Sequence, residues 1–167
     1  VLLDGVTVSS NTCLGSCRGT GIHITSATAE LNDVVIEDNV ADLTGASFRA
    51  GAGLYASDST LTLTDVDVVG NQGLNLNTSM QGSAVRLQWT DTVATDVVID
   101  DNLADGTSGG PALSVDNGSF VATRLEVTNN TSTGLASGAI RLTDNGSGDF
   151  DIHNLLVSGN TAWGGVG

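Results

Sequence analysis

The chain has 167 residues, a formal net charge of −14, a pI near 4.1, five arginines and no lysine. So acidic a surface repels nucleic acid and anionic membranes and argues against both as partners. No apolar run approaches the ~20 residues of a membrane-spanning helix.

The opening stretch, Val1 to Asn11, carries apolar pairs at Val1/Leu3 and Val6/Val8 and stops on Asn11. Alternation within a pair is the pattern of a half-buried strand. The step of three between pairs requires the chain to bend, because an unbent strand would turn its apolar side outward. Cys13 and Cys17 follow in NTCLGSC. Zinc would want about four ligands, and no second Cys or His cluster is available. A local disulfide is expected, worth roughly 2 kcal/mol and suited to an oxidising compartment; free thiols are the alternative.

The Val/Ile-x-x-Asn ending returns at Asn39, Asn71, Asn102, Asn130 and Asn160, after gaps of 28, 32, 31, 28 and 30 residues. Apolar pairs sit five and three positions before each: Val34/Ile36, Val66/Val68, Val97/Ile99, Leu125/Val127 and Leu155/Val157. Earlier pairs are Ala29/Leu31, Leu61/Leu63, Thr92/Ala94, Phe120/Ala122 and Phe150/Ile152. A third set reads Ile22/Ile24, Leu54/Ala56, Val85/Leu87, Leu113/Val115 and Ile140/Leu142, each preceded by Gly or Ala. Three short strands per repeat, each with one apolar face, close into a three-sided coil whose stacked copies share one core. Leucine-rich repeats need a helix, and a propeller blade needs four strands in about 40 residues. The prediction is all-β: a parallel β-helix (β-solenoid) of about six coils, residues 1–167 forming one domain with incomplete coils at both ends.

Each terminal Asn is read as a corner residue in left-handed backbone, which Asn tolerates. Its side chains are expected to hydrogen-bond in a ladder along the axis. The role is structural.

The openings GTGI, GAGL, GSAV and GPAL, paired with Val/Ile-x-x-Asn, resemble the repeats of bacterial surface proteins. The likeness is to polymorphic outer-membrane proteins and autotransporter passenger repeats, whose motifs are Gly-Gly-(Ala/Ile/Val) and Phe-x-x-Asn. It covers essentially the whole chain and departs in having Val or Ile in place of Phe. The resemblance implies a right-handed coil, an extracellular or outer-surface location, and an adhesive role toward a host or cell-surface glycan or protein.

Insertions collect between each Asn and the next coil, in VADLTGASFRA and QGLNLNTSMQ, where displayed loops bind or merely drift. Catalysis is the alternative, since pectate lyases and polygalacturonases share this architecture. Lyases need a Lys or Arg base, and hydrolases need paired carboxylates. The outward column of the first strand reads His23, Tyr55, Arg86, Ser114, Arg141, and that of the third reads Thr7, Val35, Asp67, Val98, Glu126, Leu156. Neither gathers acid, base and cation, and His23 and His153 read as isolated surface residues. No catalytic residue is therefore assigned and no enzyme is expected. Val35, Val98 and Leu156, with Val69 nearby, form an outward apolar stripe that implies a covering loop or a lateral contact with another chain. No cofactor is expected, with one exception. Asp33, Asp65 and Asp96 all lie six positions before their Asn and would stack about 4.8 Å apart. That makes them candidate calcium ligands, unless their side chains splay to cap corner amides. Val166 and Gly167 plus residues 1–11 supply most of one further coil. The expectation is that the ends meet either neighbouring coils of a longer chain or copies stacked head to tail into a filament.

Overall fold

The computed structural model describes residues 1–42, 44, 49–75, 84–106, 110–134, 138–144, 146 and 148–163. Among them there is no helix, and every strand pairing is parallel between one coil and the next. The chain is a parallel β-solenoid, and its six Asn rungs bound five complete turns.

The three predicted strands of a coil run end to end. Leu54–Val69 and Val85–Asp100 are each continuous over 16 residues. In the next coil the same path is divided into Leu113–Asp116 and Phe120–Thr128. Bends inside these strands come from single residues at positive φ. Ser26, Asp58, Trp89 and Asn117 mark the corner between the first and second faces. Gly5, Asp33, Asp65, Asp96, Arg124 and Asn154 mark the corner between the second and third. The step from Leu63 to Val66 is thereby explained: Asp65, at φ 52, turns the chain so that both apolar residues still point inward.

The sequence pattern assigns left-handed backbone to the repeat Asn, and the structure moves it by one residue. Ser10, Asp38, Gly70, Asp101, Asn129 and Gly159, each directly before a repeat Asn, carry the positive φ. The physical reason is a division of labour. The left-handed residue turns the corner, while the Asn behind it enters the core, where Asn39 and Asn71 are fully buried. A fourth strand of two or three residues follows each Asn, from Thr12–Leu14 to Thr161–Ala162, and these form a six-stranded sheet of their own. No apolar pair announces it.

The core is one continuous column. Phe120 is 2% exposed; it lies between the smaller Thr92 on one rung and Phe150 on the next, with Ala122 two places along its own strand. Large side chains are offset by small ones, which keeps packing close to native density. The small residue before each first strand has a similar cause. A Cβ on Gly53 would lie 2.7 Å from Val68 Cγ1 and 2.9 Å from the Ala84 carbonyl oxygen. The first strand enters too near the ladder corner for a larger residue.

Candidate functional site

The ladder is continuous. Asn11 Nδ2 donates to Asn39 Oδ1 at 2.9 Å, Asn39 to Asn71 at 2.9 Å, Asn71 to Asn102 at 3.0 Å, Asn102 to Asn130 at 2.9 Å and Asn130 to Asn160 at 2.9 Å. Each Oδ1 also accepts the backbone N–H of the Asn one rung earlier. Each Nδ2 from Asn39 onward reaches a strand carbonyl of the preceding coil, as Asn71 does with Ile36 at 2.8 Å. Only a primary amide carries both the acceptor and the two donors this requires. Cys13 and Cys17 are disulfide-bonded and belong to the scaffold.

In the middle coils of the first face the outward residues Tyr55, Ser57, Arg86, Ser114 and Asp116 are buried, whereas His23 is exposed and Arg141 partly so. Arg86 Nη2 is 3.1 Å from Asp116 Oδ2, and Arg141 Nη2 is 3.6 Å from Asp116 Oδ1. Ser114 Oγ lies 3.4 Å from Asp116 Oδ2. Sequence columns miss this cluster because Asp116 stands two residues along the strand from Ser114, on the diagonal between the arginines. An acid and two cations therefore do meet here. With Arg86 and Asp116 both buried and ion-paired, neither is presented to a polysaccharide chain. The histidines are not isolated. His23 lies 5.2 Å from the Tyr55 ring, and desolvation followed by the Arg18 charge holds its imidazole below the usual range. His153 Nε2 is 3.0 Å from Asp151 on the exposed second face.

The third face is open. The predicted column Thr7, Val35, Asp67, Val98, Glu126, Leu156 is in register rung by rung. With the corner column it lines a groove of about 530 Å³ from Asp33 and Val35 to Asn154 and Leu156. Val35 and Val98 are partly buried and Leu156 is 48% exposed, and the lining comes from this face and the corner beside it. Val69 lies beside the groove, opposite Glu37 and Asp100. Asp33, Asp65 and Asp96 form the predicted stack, all at left-handed backbone. Arg124 ends the stack with a two-point ion pair to Asp96 that holds this carboxyl below the usual aspartate range. Among the described residues no group of three or more His, Cys, Asp or Glu is arranged to hold a metal ion. The two insertion loops and Val166–Gly167 fall wholly or partly outside the described residues.

One residue has no explanation in the scaffold. Trp89 occupies a left-handed corner at φ 48, where the other coils place Ser26, Asp58 and Asn117. A bulky side chain there costs on the order of 1–2 kcal/mol. Trp89 is 56% exposed, so more than half of the residue stays open to solvent. It borders an open recess of about 310 Å³ with Ser26, Thr28, Asp58 and Thr60. A Trp at the αL step of a corner is the signal that could have found this site from the sequence.

No protein-family model, curated protein or solved structure matches the chain.

Proposed function

We propose that the chain is a non-catalytic, extracellular structural or adhesive β-solenoid module. The observation that carries this reading is the contrast between the outward faces. On the first face Arg86 and Asp116 are buried and ion-paired, whereas the accessible third face is a groove of alternating Val, Leu, Asp and Glu bordered by the Asp column, whose one cation, Arg124, is ion-paired to Asp96. Such a groove gives a rigid contact surface of roughly 19 Å over four rung steps. The GxG openings and Val/Ile-x-x-Asn endings support kinship with the surface repeats of polymorphic outer-membrane and autotransporter passenger type, and the disulfide suits an oxidising compartment. Adhesion rests on this likeness and on the rigid display of outward faces.

The test is paired. Beads carrying the purified chain are scored for retention of cells, and the soluble chain is incubated with pectate, polygalacturonate and neutral polysaccharides. Retention without new reducing ends or unsaturated products is the expected outcome. Turnover by the wild-type chain would replace this reading with a polysaccharide-active enzyme.

A further inference from the structure

We infer that Trp89 and the recess beside it form a binding platform for a neutral sugar ring. The inference rests on the adhesive reading above and names its ligand class.

Three observations converge. Trp89 holds left-handed backbone that its neighbours in the column meet with small polar residues, and it spends that strain on an exposed ring rather than on packing. Strain of this kind at an accessible side chain is a pointer to function. The recess beside the ring is shallow and polar at its rim: Ser26, Thr28, Asp58 and Thr60 are exposed, and their side chains have no hydrogen-bond partner within the described chain. Those on Ser26, Thr28 and Thr60 both donate and accept, while the Asp58 carboxylate accepts only. That set matches a polyhydroxylated ligand with one apolar C–H face. The face stacks on the indole, and the hydroxyls replace water at the rim.

Charge narrows the class. Asp58 lies beside the ring, and the chain carries a net −14. A uronate or sulfated glycan would be repelled, so among glycans the surface favours an uncharged one. The rung spacing of about 4.8 Å puts Asp58 one rung and Ser26 two rungs from Trp89 along the axis, which aligns a bound ring with the solenoid rather than across it.

The experiment is an array of immobilised neutral gluco-, xylo-, galacto- and manno-oligosaccharides, with oligogalacturonate and immobilised choline as the charged controls. Titration of the best binder follows for the wild type and for Trp89→Ser, Trp89→Phe, Asp58→Ala and Trp163→Phe. The wild type is expected to bind at least one neutral oligosaccharide and to ignore oligogalacturonate. Trp89→Ser should lose at least tenfold in affinity while melting no lower than wild type. Trp89→Phe, which keeps a ring, should retain part of the binding. Asp58→Ala should lose a few-fold, and Trp163→Phe, at an exposed Trp outside the recess, should bind as wild type. Binding of no neutral glycan, wild-type affinity in Trp89→Ser, or capture of choline in place of sugars would each overturn the inference. In those cases cell retention by Trp89→Ser beads would leave the adhesive reading standing. Only turnover would remove that reading.

Discussion

Two corners of the coil stack like side chains on successive rungs, and they do so with opposite chemistry. At the third corner six Asn residues form an uninterrupted chain of amide hydrogen bonds, buried at its centre. At the second corner Asp33, Asp65 and Asp96 stack in solvent until Arg124 takes the next place. An amide donates on one side and accepts on the other, so each added rung completes its neighbour. A carboxylate only accepts, so each added rung repels its neighbour and needs water or a cation beside it. The first column therefore holds the solenoid together, and the second is tolerated by it.

The largest effect is expected from Asn71→Asp. The Nδ2 of Asn71 sits 3.0 Å from Asn102 Oδ1 and 2.8 Å from the Ile36 carbonyl oxygen, while Oδ1 accepts from Asn39. A carboxylate would set a buried negative charge against those oxygens with no cation in the ladder. The expected loss is about 3–5 kcal/mol at neutral pH, read by urea denaturation. Burial raises the pKa of such a carboxyl in the folded state. The penalty is therefore full above that raised value and shrinks as pH falls through it, when a proton restores one donor. A penalty independent of pH would mean that lost shape, not charge, is responsible.

A smaller, graded effect separates the middle of the ladder from its end. Asn71→Ala leaves Asn39 without its acceptor and frees the carbonyls at Ile36 and Val69, all in the core. A cost of about 3 kcal/mol is expected from several unsatisfied buried groups. Asn11 is exposed, and its side chain donates only to Asn39. Asn11→Ala should cost about 1 kcal/mol. Equal losses at the two positions would show that the Asn acts as a local turn former and not as part of an axial chain.

These contrasts also mark how far the sequence can be read. Period and inward alternation are legible because every coil must bury the same faces, so Val66/Val68 and Leu61/Leu63 repeat down the chain. The ladder is legible for the same reason. The left-handed step is harder to read, because its only requirement is tolerance of positive φ. Gly70, Asp101 and Asn129 all satisfy it and share no side-chain pattern. Outward residues answer to whatever lies over them, not to the period. The Asp116 bridge between Arg86 and Arg141 crosses rungs diagonally, which a column-by-column reading does not see. Trp89, at a corner, falls outside both the inward and the outward columns, so the period does not mark it.

The smallest predicted effect is also the sharpest test of the Asp column. In the register of the second corner, Asp65 lies between Asp33 and Asp96, with no cation on either adjacent rung. Asn accepts left-handed backbone as readily as Asp, so Asp65→Asn changes charge and leaves the corner intact. Removing the middle charge of three should stabilise by about 0.5 kcal/mol at low ionic strength. The gain should fade at 1 M salt, where the screening length is about 3 Å. Asp96 provides the internal control. Arg124 depresses its folded pKa, so this pair contributes above the unfolded aspartate value and is lost as pH falls through the folded one. Asp96→Asn should therefore remove an acid-sensitive contribution, where Asp65→Asn removes a salt-sensitive repulsion. If Asp65→Asn instead destabilises the chain, and the wild type alone melts lower in chelator than in calcium, then the stack is a cation column. The two corners would in that case be alternative ways of binding rungs together, one through amide hydrogen bonds and one through a shared ion.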